Sequence, residues 1–201
     1  MILSAKTMPA FNVDNGNAGH FTPEFEEQIN EAFKGLDFEV YKTEGPRSVI
    51  PFLREYLKKN SKDTVRVYAC GGDGTIHEVA NAIVGVPNAE LAIIALGTGN
   101  DFVKIYGGKE KFQDFKALID AKASPIDVSE LVGDGVKEPM YSVNVINFGF
   151  DAIVGAMGNY YKEHGLPEEA KKKGLGPYDY ALKHDAMKHG RFNDIEVFAD
   201  G

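Results

Sequence analysis

Two rhythms of apolar residues alternate along the first part of the chain. Phe25, Ile29 and Phe33 fall on one helical stripe. Thr22-Pro23 precedes it as a capping residue and a proline in the first helical position, and Glu24, Glu26 and Glu27 complement the helix dipole. Residues 38–42 read as a short strand, residues 48–58 as a helix with Phe52, Tyr56 and Leu57 inward, and residues 65–69 as the next strand. Ile76, Val79, Ala80 and Ile83 recur at i, i+3, i+4 and i+7 and predict another helix. Residues 91–96 form an unbroken apolar run, as expected of a strand buried on both faces, and Phe115, Leu118 and Ile119 mark a helix over residues 112–121. Such alternation predicts a parallel sheet with helices on both faces.

The pattern changes after Ser124-Pro125. Residues 126–128 and 141–148 have strand composition, and the turn residues Gly133-Asp134-Gly135 between them predict an antiparallel hairpin. The expected division is therefore an α/β domain over residues 1–125 and a β-rich domain over residues 126–201. Residues 160–176 are polar and lysine-rich, a loop or loose helix, and residues 177–189 read as a helix with Tyr178, Ala181, Leu182 and Ala186 on one side. Residues 196–199 read as a strand, and Asp200-Gly201 is a hairpin-turn signal with no return strand after it. The expectation is the front part of a longer protein with an incomplete second domain. An open strand there would favour pairing of two copies as a homodimer.

Composition narrows the functional classes. With 201 residues, 43 % hydrophobic content and no apolar run long enough to span a bilayer, the chain can build a sizeable core and reads as cytoplasmic. A net charge of −8 argues against nucleic acid as a partner. The single cysteine, Cys70, excludes an internal disulfide framework and reads as a small buried filler at a strand end. Lys162, Lys171, Lys172, Lys173, Lys183, Lys188 and Arg191 cluster late in the chain. They are either a solvated helix surface or a face for transient contact with an anionic membrane.

The chemistry concentrates in Gly71-Gly72-Asp73-Gly74-Thr75, which joins the strand at residues 65–69 to the helix after it. Glycines permit φ > 0 and close approach of the backbone to an anion, and a helix N-terminus offers free amides and a positive dipole end. Asp73 would be repelled by bare phosphate, so its presence implies a cation, a sugar hydroxyl or a transferable proton, and hence a nucleotide with Mg²⁺. A second turn, Gly97-Thr98-Gly99-Asn100-Asp101-Phe102, follows the buried run at residues 91–96. Two glycine turns at carboxyl ends of parallel strands converge on one ligand. In this reading Thr75 caps the helix and touches phosphate, Thr98 and Asn100 line the nucleotide, and Asp101 is either part of the site or the cap of the next helix.

With these two motifs at this spacing, the chain resembles the diacylglycerol kinase catalytic-domain family, which includes bacterial lipid kinases and sphingosine kinases. Asp127-Val128, Asn144 and the run from Asn147 through Phe148-Gly149-Phe150-Asp151 to Ala152 are similar to that family's entry into its second domain. The resemblance implies a Rossmann-like parallel α/β nucleotide domain, akin to that of NAD kinases, packed against a β-sandwich that holds the lipid. It implies an ATP- and Mg²⁺-dependent lipid kinase acting on a diacylglycerol-like hydroxyl from a cytoplasmic, membrane-peripheral position. Gly72, Asp73, Gly74, Thr75, Glu78, Thr98 and Thr43 match positions that surround ATP, flanked by Gly71, Gly97, Gly99 and Asn100. The family's first Asn-Pro-x-x-Gly turn is matched by Asn15-Gly16-Asn17-Ala18-Gly19, without the proline, or by residues 12–16. His77 stands where the family has Asn, and His20, His164, His184 and His189 read as surface residues. The resemblance places the acidic proton acceptor and the Mg²⁺ ligands after residue 201, so no metal ligand is assigned and Asp73 is the catalytic candidate within the chain. NAD kinase, which shares the first glycine turn, and a non-catalytic nucleotide-binding protein are the alternatives.

Overall fold

The computed structural model describes residues 6–11, 22–97, 99–134 and 136–189, and residues 6–11 through their backbone. By its contacts the chain divides into two units, Met1–Asn144 and Val145–Gly201.

The first unit is built on a parallel sheet. Strands β1 (Lys6–Phe11), β2 (Tyr41–Lys42), β3 (Val65–Gly71) and β4 (Ala89–Ala95) lie in the order β2-β1-β3-β4, every neighbouring pair parallel. The chain runs from β1 outward to β2, then returns past β1 to β3. The strand order thus reverses between β1 and β3, the place where open α/β sheets leave a crevice at their carboxyl edge. Helices α1 (Pro23–Ala32), α2 (Val49–Lys59), α3 (Asp73–Ile83), α4 (Asp101–Lys104) and α5 (Phe115–Asp120) make the connections.

β3 serves both faces of the sheet. Val65, Val67 and Ala69 pack with Leu53 and Leu57 of α2 and with Ile76, Val79 and Ile83 of α3. Tyr68 and Cys70 point the other way, against Ile29 and Phe33 from the α1 side and Phe115 and Leu118 of α5. Each fully buried large aliphatic side chain contributes about 1.5–3 kcal/mol, so these two layers fix the strands between them. Burial pushes the Cys70 thiol well up, which suits the filler and not a nucleophile. Arg66 of β3 donates to Glu90 of β4 (2.8 Å) and to the carbonyls of Leu118 and Ile119, closing the end of α5 onto the sheet.

Several expectations hold in detail. Thr22 caps α1, its hydroxyl accepting the Phe25 amide at 3.2 Å. Others shift for identifiable reasons. In α2 the buried stripe is Val49, Leu53 and Leu57, while Phe52 stacks on Tyr41 at 3.7 Å and, with Tyr56, stays half-buried at the sheet edge. The single helix expected over residues 112–121 is interrupted: a 3₁₀ turn at Lys109–Phe112 precedes α5, whose N-terminus is reset by Asp114 accepting the Ala117 amide.

An antiparallel hairpin is present as β5 (Ser129–Leu131) and β6 (Met140–Ser142), its first strand following, not coinciding with, the expected residues 126–128. Asn81 of α3 binds it as a strand neighbour would: its Nδ2 donates to the Tyr141 carbonyl and its Oδ1 accepts the Tyr141 amide, both at 2.8 Å. The hairpin therefore sits with the first unit, although the sequence reading opens the second domain at residue 126. The strand expected over residues 141–148 ends at Ser142, and the run beginning at Asn147 leads into a helix.

Among the described residues the second unit is helical. It contains α6 (Phe150–His164), α7 (Glu168–Lys172) and α8 (Pro177–Tyr180), which continues through a π-helical stretch at Ala181–Ala186 into α9 (Met187–His189). α6 and α8 meet at Gly158, where a Cβ would lie 2.0 Å from the Tyr178 ring. The wider π turn rotates the following face, so Tyr180, Ala181 and Ala186 are buried while Leu182 is exposed. His184, expected at the surface, is half-buried and stacked on Tyr180 with ring centroids 4.8 Å apart. The strand expected at residues 196–199 lies outside the described residues.

Tyr180 gives this unit a measurable signature. Its hydroxyl donates to Glu169 Oε1 at 2.8 Å, and that bond, together with burial, pushes the hydroxyl up to about 12. The folded value lies above the ordinary 10, so the bond's stabilisation is complete below pH 10 and is lost as pH rises to about 12. The difference at 295 nm between the wild type and Tyr180→Phe should titrate near 12. A difference curve centred at 10 would show that the bond is not made.

Candidate functional site

β3 runs almost directly into α3: after Gly71, one residue, Gly72, caps the helix that starts at Asp73. The first intrahelical bond at this end is Ile76 N–H to the Gly72 carbonyl, 3.1 Å, so the amides of Asp73, Gly74 and Thr75 precede the helical ladder. They point out of the carboxyl edge of the sheet, where α3 presents its positive dipole end.

The second glycine turn closes on the first, backbone against backbone. The Gly71 carbonyl accepts from the Leu96 amide (3.0 Å), the Gly97 amide (3.1 Å) and Asn100 Nδ2 (3.0 Å). Asp73 Oδ1 accepts the Asp101 amide at 2.8 Å, a second brace between the loops. Lys109 Nζ donates to the Gly97 carbonyl at 3.0 Å and holds the far side of the second turn. The sequence expectation that both loops meet at one sheet edge matches this geometry.

The reason for the glycines differs from the expected one. None of Gly71, Gly72, Gly74, Gly97 or Gly99 has positive φ; that conformation falls to Asn100, with φ 47° and ψ 54°. What most of these glycines provide is closeness. A Cβ on Gly97 would stand 2.3 Å from Gly72 Cα, one on Gly71 2.3 Å from Thr75 Oγ1, and one on Gly99 2.8 Å from Asp73 Oδ2. Gly74 is different: a Cβ there would meet nothing within 4 Å, so the protein's own packing does not demand glycine at this position.

Two buried polar atoms at this joint lack a partner among the described residues. Thr75 Oγ1 and Asn100 Oδ1 belong to residues that are 3 % and 0 % exposed, and neither makes a hydrogen bond to a described group. The Asn100 amide orientation follows from its Nδ2 bond to the Gly71 carbonyl, which leaves Oδ1 as the free acceptor. Buried hydroxyls and amide oxygens are nearly always satisfied, so two exceptions where the two turns meet, one in the first turn of α3 and one at the cap of α4, make this joint the candidate place for a ligand or solvent to complete the bonding.

The remaining candidates divide. Thr43 is buried just past β2. Glu78 reaches back from α3, its Oε2 accepting the Arg47 amide at 2.9 Å and tying the loop after β2 to α3. Asp101 is the first residue of α4, with Asn100 as its cap, and pairs with Lys104. His77 is exposed beside Asn81. Thr98 and the segment Asn15, Gly16, Asn17, Ala18 and Gly19 lie outside the described residues. Among the described residues no three acidic, histidine or cysteine groups gather to hold a metal. Sequence reasoning missed the Glu78 and Asn81 ties; their only trace is two polar residues at spacing three on α3.

Comparison with known proteins bears on this geometry. Residues 12–131 match the model of the diacylglycerol kinase catalytic domain. A protein of Klebsiella pneumoniae named as a YegS-like lipid kinase is 33 % identical over 174 residues, 80 % of this chain and 56 % of its own length. A diacylglycerol kinase of Bacillus subtilis is 33 % identical over 141 residues, 67 % of this chain and 41 % of its own. A YegS-like protein of Pseudomonas aeruginosa reaches 47 % identity over 66 residues, 32 % of this chain and 22 % of its own. The chain thus spans about half or less of the length of these relatives.

Proposed function

Because the chain belongs to the diacylglycerol kinase catalytic-domain family, we propose that it binds ATP at the joint of its two glycine turns and serves phosphoryl transfer to a lipid hydroxyl. The observation that carries this reading is the buried Thr75 hydroxyl, without a partner among the described residues, beside the open amides of α3. The amides of Asp73, Gly74 and Thr75 would hold phosphate oxygens, with the Thr75 hydroxyl as a further donor. Asn100 Oδ1, an acceptor with no donor among the described residues, suits a nucleotide hydroxyl or amino group. Gly74 leaves the helix surface bare where phosphate would approach.

Bound MgATP would supply the transferable phosphoryl group and the cation that offsets its charge. Mg²⁺ usually needs only one or two carboxylates when phosphates provide its other ligands, which fits a chain whose described residues hold no three-ligand cluster. Asp73 is the carboxylate at hand: Oδ1 braces the second loop, and Oδ2 is left to orient the cation or its waters. Phosphoryl transfer depends on positioning and charge neutralisation more than on covalent catalysis, so rigid bracing is a functional property of the site. The proposal extends to a diacylglycerol-like acceptor, a β-sandwich for that lipid and a cytoplasmic, membrane-peripheral location.

The test pairs binding with turnover. Full-length protein is titrated with MgATP by calorimetry, then assayed for labelled phospholipid with diacylglycerol as acceptor and NAD as a competing one. Label on NAD alone, or nucleotide binding without turnover, would refute the lipid kinase reading. Gly74→Ala refines it. Alanine is favoured over glycine in a helix by about 0.5–1 kcal/mol, and the site is open, so the variant should melt no lower than the wild type. A methyl group facing the phosphates should weaken MgATP binding by about tenfold, or about 1.4 kcal/mol. Unchanged affinity would place the phosphates elsewhere.

A further inference from the structure

A groove on the first unit runs between α2, α3 and the turn of the β5–β6 hairpin. It consists of adjoining cavities of about 730 and 610 Å³ that share Arg54, Asn81, Glu138 and Pro139 in their walls. Arg47, Arg54, Lys58 and Lys137 line it, with Glu138 as the lone carboxylate among its walls. None of these four cations makes an ion pair among the described residues, which is unexpected in a chain of net charge −8. Arg54 spends one bond on the Asn81 carbonyl, at 3.3 Å, and keeps its other donors.

Arg47 adds a second, independent observation. It is a non-glycine residue at φ 65°, a conformation held by the bond from its amide to Glu78. Backbone strain at an exposed arginine persists only where the surroundings impose it, and it clusters at functional positions. Apolar side chains share the groove walls with these cations: Ile50, Leu57, Val86 and Met140. Unpaired cations beside apolar side chains complement a phosphate head followed by hydrocarbon. Free phosphate would make no use of the apolar part.

The late lysines are a weaker candidate for the same task. Lys171 pairs with Glu168, and Lys162 is engaged with the Tyr178 hydroxyl and ring. Asp151, Glu163, Glu169, Asp179 and Asp185 intersperse the others, so that segment carries no clear excess of positive charge.

We infer that this groove is the contact through which the protein meets anionic phospholipid headgroups at a bilayer surface. The inference rests on the lipid kinase reading for its purpose but not for its test, which contains no nucleotide and measures no turnover. Full-length protein is sedimented with vesicles of phosphatidylcholine alone or enriched in phosphatidylglycerol, at low and raised salt. The wild type should bind the anionic vesicles, more weakly as salt rises, and leave the neutral ones. Arg54→Glu combined with Lys137→Glu should weaken anionic binding by at least about tenfold, while Lys172→Glu with Lys183→Glu should change it less than about twofold. Arg54→Gln with Lys137→Gln, checked by a melting curve, should give an intermediate loss and guards against a folding defect. Equal binding by the groove variants, loss by the late-lysine variant instead, absence of wild-type binding, or displacement by millimolar inorganic phosphate would each overturn the inference. Vesicle binding through the groove without any kinase turnover would leave it standing and refute the proposed function.

Discussion

Gly97→Ala is expected to unseat the whole site with a single methyl group. The added Cβ would fall 2.3 Å from Gly72 Cα, 3.1 Å from the Gly72 amide nitrogen and 3.1 Å from Asn100 Oδ1. Two of these neighbours are backbone, at the point where β3 turns into α3, and cannot rotate away. The loops must separate, and the bonds that converge on the Gly71 carbonyl go with them. Overpacking of this kind costs about 1–3 kcal/mol and more where backbone must move. If the joint holds phosphate as proposed, its loss should remove far more from turnover, about a hundredfold or greater by the scale of small misplacements at active sites. A lowered melting temperature with both MgATP binding and turnover largely lost is the expected pattern. Normal stability together with normal nucleotide affinity would show that the loops do not touch in solution.

The contrast between Gly97 and Gly74 also shows what a sequence reveals here. Strands β3 and β4, covered on both faces, read as apolar runs, and α1 and α3 carried clean helical stripes; the parallel α/β layer was therefore legible. β1 was harder, because Lys6, Thr7 and Pro9 dilute its apolar character although it lies in the interior of the sheet. The meeting of the two glycine turns at one sheet edge was legible, but its physical basis was not. A glycine needed for positive φ and one needed for closeness look identical in sequence, and only the approach of Gly97 to Gly72 separates them. Asn100 was read as lining the nucleotide, yet its left-handed backbone and its bond to the Gly71 carbonyl make it part of the joint as well. The helix beginning at Phe150 was concealed by β-branched and aromatic residues with strand preference. Long-range ties such as Asn81 to Tyr141 leave no local periodicity to find.

Thr75→Val should stabilise the nucleotide-free protein and weaken it as a nucleotide binder. The two side chains have nearly the same shape, and the one difference is a hydroxyl, on a residue 3 % exposed, with no partner among the described residues. Leaving such a group unsatisfied costs about 1–3 kcal/mol, so its replacement by a methyl should raise stability by about 1 kcal/mol. Space is no obstacle, because valine preserves the branching that fits over Gly71. In the MgATP complex the balance reverses. A hydrogen bond to a charged phosphate oxygen is worth about 1.5–3 kcal/mol, so the variant should bind MgATP about 10- to 100-fold more weakly. Thr75→Ser, which keeps the hydroxyl and loses the methyl, should retain most of the affinity at lower stability. Calorimetric titration and thermal unfolding of the three proteins separate the outcomes. If valine lowers the melting temperature, the hydroxyl is already satisfied in the free protein; if it leaves affinity unchanged, Thr75 is a packing residue and phosphate does not sit at the start of α3.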